Sequence, residues 1–238
     1  MPRRRRAPAR EPAAAITRAP VNWHPGARIV SARRTPEEIF EGISSADEAR
    51  DLLTVVTAGR PARFDPADVA VGEGAGWVMA AFLQGGAARF NDQSFGAFYA
   101  ARQEATAIAE TQFHYARFLM AAREEYALIG VRVLLADIAS RAVDIRGRAR
   151  TLPELYDPDP SHYARSQQWA AVQRATGADG IVYDSVRREG GECVALFRPR
   201  LVTRCREGDR LVYEWDGKSI VATYSLTPRT DPVKEHDR

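Results

Sequence analysis

Three short segments hold residues whose types have a chemical use: Ala88-Arg89-Phe90-Asn91, Phe98-Tyr99-Ala100-Ala101-Arg102 and Ala107-Ile108-Ala109-Glu110-Thr111. They set an arginine, a tyrosine and a carboxylate on three successive short elements. Each fits a phosphate-bearing nucleotide. A guanidinium grips phosphate with paired donors. An aromatic ring stacks on a flat base or pyridinium. A lone carboxylate stabilises a cation that develops on a ribose.

Each residue also has a plainer account. Arg89 follows Gly85-Gly86 and reads equally as a surface arginine in a loop. Tyr99 reads as a core tyrosine with its hydroxyl near water. Glu110 lies on an otherwise apolar helix face, where a carboxylate costs several kcal/mol unless it is paired or hydrogen-bonded. It is either a buried ion-pair partner of an arginine or a pocket carboxylate, and pattern alone leaves both open. Ser185 ends a strand after Tyr183-Asp184. No Gly-x-Ser-x-Gly elbow surrounds it, so it reads as a hydrogen-bonding serine and not as a nucleophile.

Other patterns are set aside. Gly72-Glu73-Gly74-Ala75-Gly76 lacks the spacing and the Lys-Ser/Thr of a phosphate-binding loop, and reads as a turn before a buried helix. His24, His114, His162 and His236 show no ligand spacing. His114 shares a helix face with Glu110, yet no third metal ligand is in sight. Cys193 and Cys205 form no Cys-x-x-Cys and read as two reduced thiols of a cytoplasmic protein.

The elements that must position these residues follow from periodicity. Gly26–Val30 reads as a strand, Pro36–Phe40 as a turn into a helix, and Ala46–Thr57 as a helix. Gly76–Gln84 reads as a buried helix ended by a left-handed glycine at Gly85-Gly86. Phe95–Ala100 reads as a strand. Gln103–Ala122 is a helix whose face is Ala107, Ile108, Thr111, Tyr115, Phe118 and Leu119. Val131–Asp137 is a strand, Arg146–Pro160 a loop, and Tyr163–Thr176 a helix closed by Gly177. Gly180–Tyr183 and Glu192–Arg198 form one hairpin. Leu211–Trp215 and Ser219–Tyr224 form another across Asp216-Gly217. Strands and helices do not alternate regularly, so the fold class is α+β rather than a doubly wound parallel sheet.

The chain has 238 residues, 45% apolar and 27% charged, which is the make-up of one substantial globular core. The net charge of +3 owes much to Arg3-Arg4-Arg5-Arg6. That arm lies among prolines and alanines without an apolar stripe, and reads as a disordered basic tail over residues 1–20. No apolar run is long enough to span a bilayer, and the arginine-rich start lacks the apolar core of a secretory signal.

Taken together, the segments resemble the RES-domain family, the toxins of bacterial RES–Xre toxin–antitoxin modules. The family's arginine, glutamate and serine match Arg89, Glu110 and Ser185. An earlier family arginine matches Arg28 in Ala27-Arg28-Ile29-Val30, and the tyrosine on the following strand matches Tyr99. Gly190–Pro199 and Tyr213–Gly217 fit as well. The likeness covers roughly 26–222, and rests on the order and spacing of the segments. Where many members carry Gly-Gly-Arg-Trp-Asn, this chain has Ala-Ala-Arg-Phe-Asn. The aromatic and Asn91 are kept, while the glycine's freedom before the arginine is lost.

The resemblance implies a single compact α+β domain over 21–226 with a mixed, mainly antiparallel sheet flanked by helices, similar to ADP-ribosyltransferase toxins, and a polar tail over 227–238. It implies an NAD-degrading enzyme acting by phosphorolysis, with inorganic phosphate as co-substrate, or alternatively transfer of ADP-ribose to a protein. Glu110 would stabilise the ribose cation. Arg28 and Arg89 would hold pyrophosphate or phosphate. Tyr99 would stack on nicotinamide, Ser185 would orient NAD by a hydrogen bond, and Asn91 would belong to the same NAD-binding set. No metal and no prosthetic group are implied. The implied partner is an Xre-type helix-turn-helix antitoxin whose C-terminal end blocks the site, one arrangement being a homodimer within that complex. The rival class is a non-catalytic nucleic-acid or partner-binding module that uses the arginine-rich arm, with salt-sensitive binding. A third reading is an inactive homologue serving as an antitoxin scaffold.

Overall fold

The computed structural model describes residues 16–36, 40, 45–48, 51–52 and 63–227. In chain order the main elements are β1 (Thr17–Ser31), α1 (Ala75–Leu83), β2 (Phe98–Ala101), α2 (Glu104–Ala122), β3 (Ala127–Asp144), α3 (Ala164–Ala175), β4 (Gly180–Asp184), β5 (Glu192–Leu196), β6 (Val202–Trp215) and β7 (Ile220–Leu226). The strands form one seven-stranded sheet in the order β1-β2-β5-β4-β3-β6-β7, with an added β1–β3 pairing. That pairing closes β1, β2, β5, β4 and β3 into a ring. Only β3–β4 runs parallel; every other pairing is antiparallel. The architecture is α+β with a mixed, mainly antiparallel sheet.

Strand alternation divides the interior in two. Phe98 and Ala100 of β2, Val182 of β4 and Val194 and Leu196 of β5 pack with α1. Ala101 of β2, Ile181 and Tyr183 of β4 and Cys193 and Ala195 of β5 face α2 and α3. Eight of the nine residues of α1 are buried, Trp77, Met79 and Phe82 among them. Each such large side chain contributes about 1.5–3 kcal/mol by leaving water. The functional candidates lie on the α2 side.

Several sequence expectations are corrected. Four residues of the stretch read as tail, Thr17–Pro20, belong to β1 and pair with Asp144–Arg141 of β3. A backbone ladder orders them without any apolar pattern, and Pro20 is tolerated where β1 has a neighbour on one side only. The short Val131–Asp137 strand is the middle of an 18-residue β3. Two register shifts against β6 break its alternation and hide its length. The strand read from Phe95 starts at Phe98. Neither Gly85 nor Gly86 is left-handed. Gly85 is needed for space, since a Cβ there would stand 2.1 Å from the Ala81 carbonyl oxygen. Phe118, placed on the apolar face of α2, is 69% exposed. Gly177 closes α3 at φ +79° as expected. Most of the helix read over 46–57, the turn over 36–40 and the ends of the chain at 1–15 and 228–238 lie outside the described residues, although 46–48 and 51–52 are helical.

Candidate active site

Glu110 sits in the first half of α2, above the open face of β2, β4 and β5. Its carboxylate Oε1 accepts a 2.6 Å hydrogen bond from Ser185 Oγ, and Cys193 Sγ stands 3.9 Å from the same oxygen. No arginine lies within ion-pair distance of it among the described residues. Of the two accounts open to Glu110, the geometry gives the pocket carboxylate: it faces a cavity of about 260 Å³ that Arg28, Arg89 and Tyr99 also line.

Arg89 is only 5% exposed, so the surface-loop account fails. Its turn is closed by the Ala88–Asn91 bridge. Nη1 donates to the carbonyls of Leu155 (3.0 Å) and Asp157 (2.8 Å), and Nη2 donates to Tyr163 Oη (3.1 Å). The guanidinium also lies 4.5 Å from the Tyr163 ring centroid. Three of its five N–H donors are thus fixed by protein. Nε and the second Nη2 hydrogen are not part of these bonds.

Arg28 comes from β1 beside Ala27, which with Ala101 makes the single β1–β2 pair among the described residues. Beyond that pair the two strands part. Arg28 Nη1 reaches across to the Tyr99 carbonyl at 2.9 Å, with the guanidinium 4.9 Å from the Phe98 ring. Burial, and then the charge of nearby Arg34, lower its pKa to about 10. It remains a cation at neutral pH.

Tyr99 accepts from the Phe90 amide (2.9 Å) and donates to Asn91 Oδ1 (2.9 Å). Burial pushes its phenol well above the usual value. The hydroxyl is therefore a structural strut, and the ring is what Tyr99 offers the cavity. Asn91 is 1% exposed, and its amide donates to the carbonyls of Gly86, Asp92 and Phe95. It does not line the cavity. Its bonds hold the Arg89 turn. Ser185 likewise does not line the cavity. Its single proton goes to Glu110, and its oxygen accepts the amides of Arg187 (3.0 Å) and Arg188 (3.1 Å). It orients the carboxylate and the turn that follows β4.

The structure adds four residues that the sequence reading did not place in the site. Tyr163 lines the cavity beside Arg89, Tyr183 and Cys193 form its floor, and His114 stands at its mouth. Tyr183 and Cys193 face each other in the β4–β5 register. Strand alternation across that hairpin was a signal that would have found them. Burial, followed for the thiol by the Glu110 charge, holds Cys193 well above the ordinary thiol value, so it is not a thiolate nucleophile. Tyr183 is raised for the same first reason. Partial desolvation and the cations of Arg187, Arg117 and Arg89 hold His114 below the usual histidine value. Among the described residues no cluster of three or more His, Cys, Asp or Glu could hold a metal ion. No described helix is long and apolar enough to cross a membrane.

The site is thus a carboxylate held by a serine, two part-committed arginines and a wall of aromatic rings. It can receive an aromatic group, bind an anion and stabilise a cation between the two. A curated relative from Sinorhizobium fredii, "Uncharacterized protein y4oC", is 25% identical over 219 residues, covering 87% of this chain and 90% of its own. Among solved structures, a chain of the M. tuberculosis MbcT–MbcA toxin–antitoxin complex aligns over 82% of this chain and 86% of its own, at 14% identity and a TM-score of 0.44. The RES domain model matches residues 69–216, well over half of the sequence and a span that includes Arg89, Tyr99, Glu110 and Ser185. The chain belongs to the RES domain family.

Proposed function

We propose that the protein cleaves the nicotinamide–ribose bond of NAD, with inorganic phosphate as acceptor, to give nicotinamide and ADP-ribose-1″-phosphate. The observation that carries this reading is the Ser185-held Glu110 carboxylate, which faces a cavity that also presents two arginines and aromatic rings. Nicotinamide leaves a pyridinium as a neutral molecule, taking the bonding electron pair with it, so no general acid is needed. The ribose carbon becomes cation-like, and an anionic oxygen nearby lowers that barrier. Oε1 is engaged by Ser185, which leaves Oε2 for the ribose. The free donors of Arg89, with Arg28, hold the pyrophosphate or the incoming phosphate. A phosphate oxygen then bonds to the ribose carbon from which nicotinamide has departed with the bonding pair. Tyr99, Tyr163 and Tyr183 wall the nicotinamide slot and exclude water.

Loss of NAD is the toxic effect we propose. On the family resemblance, an Xre-type helix-turn-helix antitoxin is the partner that restrains it. Purified protein with NAD and phosphate is expected to release nicotinamide and a product of the mass of ADP-ribose-1″-phosphate. Glu110→Gln keeps the size and loses the charge; turnover should fall by a factor on the order of a hundred or more, at unchanged thermal stability. Near-normal turnover by that variant would refute the role of Glu110. Nicotinamide release with ADP-ribose attached to protein would favour the transferase alternative, and no NAD consumption under either condition would end the enzymatic reading.

A further inference from the structure

The cavity at Glu110, about 260 Å³, falls below the roughly 300–1,000 Å³ of pockets that enclose drug-sized ligands. NAD is larger than such a ligand, so it must extend beyond the cavity. A second depression, of about 420 Å³, adjoins the first and shares Arg28, Ile29, Thr111 and His114 with it. Its outer wall is formed by Arg34, Tyr115 and Phe118.

One face of α2 runs through both. Ala107, Glu110, Thr111 and His114 line the first space, and Thr111, His114, Tyr115 and Phe118 line the second. The spacing of three and four keeps them on one stripe. From Glu110 to Phe118 the helix advances about 12 Å, at 1.5 Å per residue. A ribose–pyrophosphate–ribose linker can cover that distance.

The far end suits a base. Phe118 is 69% exposed and makes no aromatic or cation contact among the described residues. Tyr115, one turn earlier, is fixed edge-on against Tyr213 at 6.1 Å. The joint between the spaces suits phosphate. Arg34 stands near enough to Arg28 for their charges to repel, and no carboxylate is among the described residues lining the groove. An anion between the two guanidinium groups would relieve the repulsion.

We propose that this groove is the adenylate subsite: Phe118, beside Tyr115, is the platform for adenine, and Arg34 with Arg28 contacts the adenylate phosphate. This assignment rests on the NAD reading, and it makes Phe118 and Arg34 the residues that distinguish a dinucleotide from nicotinamide mononucleotide. The exposed ring then has a use that packing does not give it.

Calorimetry of the full chain with AMP tests it. AMP is expected to bind saturably and to compete with NAD. Phe118→Ser should weaken AMP binding about tenfold, the usual worth of one base–aromatic stack, and Phe118→Trp should retain or tighten it. Arg34→Ala should weaken AMP more than adenosine. In turnover assays Phe118→Ser should raise KM for NAD by a similar factor and affect kcat little. Failure of AMP to bind the wild type, or equal binding by wild type and Phe118→Ser, overturns the proposal. The two readings fail separately. If NAD is consumed but KM ignores Phe118, the subsite falls and the reaction stands. If NAD is not consumed but AMP binds through Phe118, the reaction falls and the groove stands as an adenylate site.

Discussion

Ser185 has one proton to donate, and it goes to Glu110 Oε1 at 2.6 Å. In the proposed reaction the serine would act on substrate through the carboxylate. A hydrogen bond to a charged group contributes about 1.5–3 kcal/mol, enough to fix which carboxylate oxygen faces the ribose. Ser185→Ala should lower kcat by roughly ten- to a hundredfold and leave KM for NAD close to normal, the pattern of an interaction felt mainly in the transition state. Were Ser185 a direct NAD ligand, as the sequence reading had it, KM would rise instead. Steady-state kinetics on the pure variant separate the two. Arg89 shows the same difference between residue type and role. Its burial beside the Glu110 cavity was not legible. Its partners Leu155, Asp157 and Tyr163 lie 66 to 74 positions away, and no local pattern reports contacts at that range.

At the scale of elements, the proposed reaction requires α2 and the turn of residues 185–191 to keep their spacing, because one carries Glu110 and the other Ser185. Gly191 sets that spacing. A Cβ there would stand 2.7 Å from Thr106 Cγ2 and 2.8 Å from Thr106 Oγ1, with the Arg188 carbonyl oxygen at 3.0 Å. Gly191 also accepts the Ser185 amide at 2.8 Å. Gly191→Ala should push the turn away from the start of α2 and lengthen the Ser185–Glu110 bond. The expected result is a fall in kcat larger than the fall in thermal stability warrants, with part of the activity restored when Thr106→Ala is added. A double variant no better than the single one would place the clash elsewhere. Elements with their own periodicity and stop signals were legible. Residues 104–122 were read as helix within one residue, and the Asp216-Gly217 turn has Gly217 at φ +93°. Long strands were not. Thr17–Asn22 is ordered by its pairing with β3 and not by any pattern of its own.

The molecule as a whole is organised on β3, which pairs with β1, β4 and β6. Sheet order was not legible, since the one parallel pair and the closure of β1 on β3 depend on contacts far apart in sequence. Ion pairs clamp β3 at two points. Asp137 takes hydrogen bonds from Arg204 on β6, which with His24 on β1 hold its carboxyl below the usual range. Asp144, at the end of β3, is held below its usual value first by the Arg146 side chain. Arg146 also donates to Glu192 of β5 at 2.5 Å. Burial alone would raise Glu192, but Arg146 and Arg102 bring it below its ordinary value. All three carboxyl groups therefore bind protons less readily folded than unfolded. Their stabilisation is complete above the unfolded carboxylate pKa of about 4 and is lost as pH falls through the lower folded values. Arg146→Gln and Arg204→Gln should each lower the urea midpoint by a constant amount between pH 6 and 8. Below about pH 4 that deficit should shrink, because the wild type is then losing the same pairs. A deficit that stayed constant down to pH 3 would show that the two arginines act through packing and not through charge.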